Sequence, residues 1–241
     1  MTVLNFSIAA WQAWAPDIDT FDRWLLWAKG EVRAQNDYSA PKVDFLPAMQ
    51  RRRLSPLARM AFHVGWPLAE GCEQLPLVFY SRHGETGRTA ELLQCLANAE
   101  PLSPTQFGLS VHNAIIGQWS ILRGETTEMT ALSGGEDGFE QALIEAALLL
   151  QEHPQVLLIA AEEQPAPLYA AAIDDIPHAY ALGLLLSRGS QCQLSWQATA
   201  SSPAASLPNP LNWLRHWLLN TPAWQHHGTQ RSWSWQCHRA Q

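Results

Sequence analysis

Two short runs in this sequence join residue types that can do chemistry. The first runs from Leu77 to Glu85, where a short apolar stretch leads into Ser81-Arg82-His83-Gly84-Glu85. An imidazole beside a guanidinium at the end of a strand suits phosphoryl transfer, with the histidine accepting the group and the arginine clamping its oxygens bidentately. His227-Gly228 offers a second such pair, though no apolar strand is read ahead of His226-His227. The second run is Ser133-Gly134-Gly135-Glu136-Asp137-Gly138, just before the apolar segment that starts at Phe139. Carboxylates in a first helical turn face the positive end of the macrodipole, an interaction worth about 0.3–1 kcal/mol each. That capping role stands beside a possible interface role for Glu136.

Other constellations point to less. The consecutive Arg51, Arg52 and Arg53 stand out in a chain with 15 basic residues. They read either as a solvated run paired with the chain's own acidic surface or as a patch that steers an acidic partner. Gly134, Gly135 and Gly138 have the wrong spacing for a dinucleotide fingerprint. The nine histidines form no HxH or HExxH pattern, so neither a catalytic metal nor a cofactor is expected. Ser110, His112 and Asp137 cannot be argued into a triad without geometry, and His112-Asn113 reads as a hydrogen-bonded structural pair.

The elements that must position these residues are bounded by composition. A chain of 241 residues buries roughly 70–75% of its unfolded surface, enough for one α/β domain spanning 1–241. Only 15% of residues are charged, 47% are hydrophobic and 12 are Trp, so some apolar surface is expected to be covered by another molecule. A net charge of −7 argues against nucleic-acid or anionic-membrane binding. No export signal or membrane span is read at the start. Cys72, Cys95, Cys192 and Cys237 are scattered singly, which predicts reduced thiols in a cytoplasm.

Periodicity gives alternating strands and helices. Strands are expected at Leu4–Ala15, Leu77–Ser81, Thr127–Leu132, Gln155–Ala161, Tyr180–Ser187, Gln193–Thr199 and Ser232–Cys237. The last puts Trp233, Trp235 and Cys237 on one face. Helices are expected after the Asp19-Thr20 cap, from Ser55-Pro56 to about Glu70, and at Arg88–Ala99, Pro104–Leu122, Asp137–Glu152 and Leu211–Leu219. The helix from Asp137 is apolar nearly all round and should be sandwiched between layers. Trp24 and Trp213 sit at helical spacing and read as core before contact. Segments 33–45 and 201–210 read as loops. Layered α/β architecture follows.

Four blocks carry a family resemblance: Arg51-Arg52-Arg53-Leu54-Ser55-Pro56-Leu57-Ala58-Arg59-Met60, Val78-Phe79-Tyr80-Ser81-Arg82-His83-Gly84-Glu85, Pro104-Thr105-Gln106-Phe107-Gly108-Leu109-Ser110-Val111-His112-Asn113-Ala114-Ile115-Ile116-Gly117, and Ala131-Leu132-Ser133-Gly134-Gly135-Glu136-Asp137-Gly138-Phe139. Together they resemble the half-length β-ketoacyl synthase chain length factors of aryl-polyene biosynthesis, from about Trp11 to about Leu186. The part after about residue 189 carries no matching motif.

The resemblance implies a thiolase-like half-fold, a mixed sheet covered by helices. It places Glu136 where the condensing cysteine of a synthase stands, with Gly135 or Asp137 as the neighbouring registers. None of these can carry a transferable thioester, and the chain is too short for the second half with its two catalytic histidines. The implied role is a non-catalytic subunit that pairs with a full-length ketosynthase, meets acyl carrier protein through that complex and helps shape the acyl cavity. Glu136 would then cap the helix, hold an interface or replace the charge of an absent thiolate. His112, Asn113, Ile115, Ile116 and Trp119 become interface or acyl-channel candidates, and Arg51, Arg52 and Arg53 a carrier-protein contact. The same resemblance accounts for Arg82-His83-Gly84-Glu85 without phosphatase chemistry, leaving a histidine phosphatase or a plain scaffold subunit as the alternatives.

Overall fold

In the computed structural model, residues 3–198, 207–228 and 231–238 are described. Of the expected loop at 201–210, residues 201–206 lie outside them, as does the end of the strand at Thr199, and Asn209 and Pro210 are helical instead. Seven strands form one mixed sheet in the order β3-β2-β4-β5-β7-β6, with β1 also paired to β5. β3 (Met129–Leu132), β2 (Leu77–Tyr80) and β4 (Gln155–Glu162) run parallel, and β5 (Tyr180–Ala198) is antiparallel to β4. β1 (Val3–Trp14), β6 (Ala223–His227) and β7 (Arg231–Cys237) add antiparallel pairings.

The continuous apolar strands divide their side chains between two cores because the strand repeat is two residues. Val78, Tyr80, Val156, Leu158, Ala160, Leu182 and Leu184 enter one core with Phe139, Ala142 and Leu143 of α7 (Gly138–Leu149). α8 (Asn209–Leu218) and α1 (Phe21–Lys29) cover the same face. Leu77, Phe79, Leu157, Ile159, Ala161 and Ala181 enter the other, under α3 (Pro56–Leu68) and α6 (Ala114–Arg123). α3 lies so close to the sheet that a Cβ at Gly183 would stand 3.0 Å from the Val64 carbonyl oxygen. Trp24, Trp213, Trp233, Trp235 and Cys237 are all core residues, as the periodicity predicts.

Several expectations are corrected. Pro104–Leu122 is two helices, α5 (Pro104–Gly108) and α6. Gly108 has weak helix propensity and the Ser110 hydroxyl donates back to the Phe107 carbonyl at 2.8 Å, so the first helix closes there. The segments 180–187 and 193–198 belong to one 19-residue strand. The gap read between them is a bulge, since Phe6 pairs with Cys192 while the next residue, Ser7, pairs with Ser187. His226 and His227 end strand β6, where no strand was expected. Cys192 and Cys237 face each other across β5 and β7, with Cα atoms 4.2 Å apart, and are joined by a disulfide; only Cys72 and Cys95 are free thiols.

α4 (Thr86–Ala97) and α5 bury no residue, and Phe107, Leu96, Val111 and Ile121 are exposed around them. β3, at one end of the sheet, has no strand on its outer side among the described residues. No helix of the described residues is long and apolar enough to cross a membrane.

Candidate functional site

The loops at the C-terminal ends of the parallel strands converge on the start of α7. β2 delivers Ser81-Arg82-His83-Gly84-Glu85, β4 ends at the buried Glu162, and β3 leads into the turn 133–137. Between them lies a cavity of about 200 Å³ lined by Tyr80, Arg82, Glu136, Glu162, Asn209 and His226, with Asp174 and Asp175 at its side.

Glu162 organises the first loop. It accepts hydrogen bonds from the Ser81 hydroxyl at 3.1 Å, from the Arg82 N–H and from the His83 N–H at 3.4 Å. Burial nevertheless pushes its carboxyl up to about 8, so desolvation outweighs the donors. Asp175 meets both side chains of the Arg82-His83 pair, at 2.8 Å from the guanidinium and 3.0 Å from His83 Nε2. The guanidinium that would clamp a phosphate is therefore occupied by a carboxylate of the same chain. Gly84 has φ +62°, and its N–H donates to Ser81 Oγ at 2.8 Å. Glu85 is also buried, accepting from Ser55 Oγ at 2.6 Å and from Arg88 at 3.2 Å.

The helix start differs from the expected arrangement. α7 begins at Gly138 with Asp137 as the cap residue, so Glu136 precedes the helix and the acidic residue of the first turn is Glu140. Asp137 caps no helix N–H; its Oδ1 accepts from the Trp233 indole at 2.9 Å. Asn209 clamps the turn by donating to the Glu136 carbonyl oxygen at 2.6 Å and to Glu140 Oε2 at 2.7 Å. Burial pushes Glu140 up to about 8. A Cβ at Gly228 would overlap the Asp137 carboxylate, so this glycine packs directly on the turn.

No thiol lines this cavity. Cys72 lies at the other end of the sheet, within 3.8 Å of Gln155, which starts β4, and Cys95 is on α4. The turn can stabilise negative charge through helix amides and can donate protons from buried carboxyls. It holds nothing that forms a transferable thioester.

The remaining candidates separate. His112 donates from Nε2 to the Ser81 carbonyl at 2.9 Å, which ties the α5–α6 junction to the site loop, and it makes no bond to Asn113. Asn113 opens α6 without a side-chain cap. Ile115 and Trp119 are buried in the chain's own core and Ile116 is half-buried. Arg51 pairs with Asp44, whereas the exposed Arg52 and Arg53 make no ion pair among the described residues. Sequence reasoning missed Asp175, Glu162, Glu140 and Asn209, whose roles come from long-range contacts. The only cluster of histidine and carboxylates close enough to share a metal ion among the described residues is Glu128, Glu152 and His153, at the opposite end of the parallel strands.

One chain of the complex of a ketosynthase (ApeO) with its chain length factor (ApeC) from Xenorhabdus doucetiae is 31% identical, with a TM-score of 0.86. The match covers 97% of this chain and 99% of that one. The ishigamide ketosynthase/chain length factor matches at 15% identity and TM-score 0.64, over 80% of this chain and 67% of that one. A β-ketoacyl synthase from Burkholderia phymatum matches at 11% identity and TM-score 0.61, over 91% and 71%. These two likenesses concern the fold, which is thiolase-like. No curated protein matches. Residues 24–236 fit the family model for the β-ketoacyl synthase N-terminal domain, and the chain belongs to that family.

Proposed function

We propose that this chain is a chain length factor: a single-domain, non-catalytic subunit that pairs with a full-length ketosynthase and helps shape its acyl cavity in aryl-polyene biosynthesis. The observation that carries the reading is the turn before α7, where Glu136 lines a cavity without a thiol; the family resemblance sets Glu136 at the position of a synthase's condensing cysteine. The likeness to a ketosynthase–chain length factor complex supports the assignment along nearly the whole chain. The free outer side of β3 and the exposed apolar residues of α4–α6 suit a partner that covers them. His112, Asn113 and Ile116 line that side in this reading, with Ile115 and Trp119 behind them setting how far an acyl channel can reach. Arg52 and Arg53, joined by Arg51, would attract the acidic surface of acyl carrier protein.

Co-expression with the cognate ketosynthase should give a one-to-one complex and raise the yield of folded protein, read by size-exclusion chromatography with light scattering. A stable monomer that ignores the synthase would remove the reading. Within the complex, Glu136→Gln keeps the shape and a hydrogen-bonding group while losing the charge. Its condensation rate should stay within about threefold of wild type, whereas loss of the partner's cysteine abolishes product. A Glu136→Gln complex that assembles but makes no product would give Glu136 a direct part in the chemistry.

A further inference from the structure

A second cavity, of about 620 Å³, opens beside the C-terminal end of α1 and shares only Pro177 and Leu207 with the acidic one described above. Its volume lies within the range of small-molecule sites. Its charge is the opposite of its neighbour's. Arg33 and Arg215 line it, and none of its lining residues is acidic, in a chain whose net charge is −7. Arg33 makes no hydrogen bond or ion pair among the described residues. Arg215 uses Nε to bond the Ala28 carbonyl oxygen at 3.0 Å, which fixes the side chain and leaves its two terminal amino groups without a partner among them. His178, also in the wall, is buried with no hydrogen-bond partner at Nε2. The rest of the wall includes the apolar Trp27, Val32, Pro177 and Leu207.

We propose that this cleft binds a small amphipathic anion, a carboxylate or phosphate ester whose head lies between Arg33 and Arg215 and whose apolar body rests on Trp27, Val32 and Leu207. Guanidinium forks match planar carboxylate and phosphate oxygens, and both arginines are exposed at the cavity with no carboxylate among its lining residues, so an anion can reach them from solvent. His178 fits the same ligand. Burial pushes its imidazole down to about 4, so it stays neutral at pH 7 and its Nε2–H tautomer supplies a donor without another charge to desolvate. The carboxylates of the adjoining cavity repel an anion from that side and confine the head to the arginines.

The test is calorimetric titration of the full chain, alone or with its ketosynthase, using octanoate and octyl phosphate as separate arms and octanol and octylamine as controls. At least one anion should saturate a single site, with both controls weaker by about tenfold or more. Octanoate alone would identify a carboxylate site, octyl phosphate alone a phosphate-ester site, and both a site that reads charge. Arg33→Gln should weaken binding by about tenfold while leaving the unfolding midpoint unchanged, because that side chain holds nothing else. The difference between wild type and this variant removes any binding by the partner. Arg215→Gln should weaken binding as well. No saturable binding of either anion, octanol binding as tightly as the anions, or unchanged binding by Arg33→Gln would each overturn the proposal.

Discussion

Trp119→Ala is expected to lower the unfolding free energy by about 3–5 kcal/mol, the range for removing a fully buried aromatic side chain. The indole is only 2% exposed. It meets Phe62 edge-on at 5.2 Å and Trp66 at 5.5 Å, and the Arg123 guanidinium lies 5.3 Å from its ring. Its outer ring edge comes within 3.0 Å of where a Cβ on Gly65 would stand, so the indole packs closely on α3 at that glycine. Truncation leaves a void between two helices that the sheet prevents from collapsing, and the aromatic contacts are lost with it. Denaturant unfolding measures the loss directly, and a change below about 1 kcal/mol would mean that this core repacks freely. Assembled complexes of Trp119→Ala and Ile116→Ala then test the channel role by mass spectrometry of the product. Longer products from either variant would support it, and an unchanged length distribution from both would take α6 out of the channel.

The contrast between Trp119 and its neighbours shows what the sequence could and could not tell. Its helical spacing with Ile115 and Ile116 was legible, and so was an apolar stripe. Which partner the stripe meets depends on Phe62 and Trp66, more than 50 residues earlier in the chain. The strands β2, β4 and the first part of β5 were legible because strands covered on both faces are apolar without interruption. β6 was not, because Gln225, His226 and His227 carry no apolar signature and are held in the sheet by pairing with β7. The Pro104–Leu122 pattern looked continuous because apolar residues recur throughout it, while the break comes at Gly108 with Ser110 bonding back to Phe107, and His112 then ties the junction to the Ser81 carbonyl.

The site was legible in the same uneven way. Glu136 and the Arg82-His83 run were visible as residue types, and both lie at the cavity. Their partners are remote in sequence: Asp175 for Arg82 and His83, Asn209 for the turn at Glu136, Trp233 for Asp137. The cysteine expectation failed for a related reason. Single cysteines 45 residues apart give no spacing signal, and only the registry of β5 against β7 brings Cys192 opposite Cys237.

Stability should fall as pH rises from about 6.5 to about 8 because of the buried acids around α7 and β4, while below about 6.5 buried histidines kept neutral, His178 foremost, oppose that fall. Burial pushes the carboxyls of Glu140 and Glu162 up to about 8 and that of Glu163 up to about 7, from an ordinary value of 4.5. Between those limits the folded chain holds protons that the unfolded chain has released. The folded state therefore binds more protons, and the linkage relation makes the unfolding free energy decrease with pH. Each such group contributes a slope of up to about 1.4 kcal/mol per pH unit, complete once pH passes the folded value. Glu140→Gln keeps an acceptor for Asn209 and removes the titration; Glu162→Gln keeps one for the Ser81–His83 loop. Each should flatten the dependence, and the two together should flatten it further. Urea unfolding at pH 5, 6, 7 and 8 separates the possibilities. A wild-type stability that rises between pH 7 and 8, where the histidines no longer contribute, or variants with the same slope, would mean that these carboxyls ionise in place. The hydrogen-bond donors around Glu162 would then have overcome its burial, and the turn bearing Glu136 would sit in a field of several negative charges.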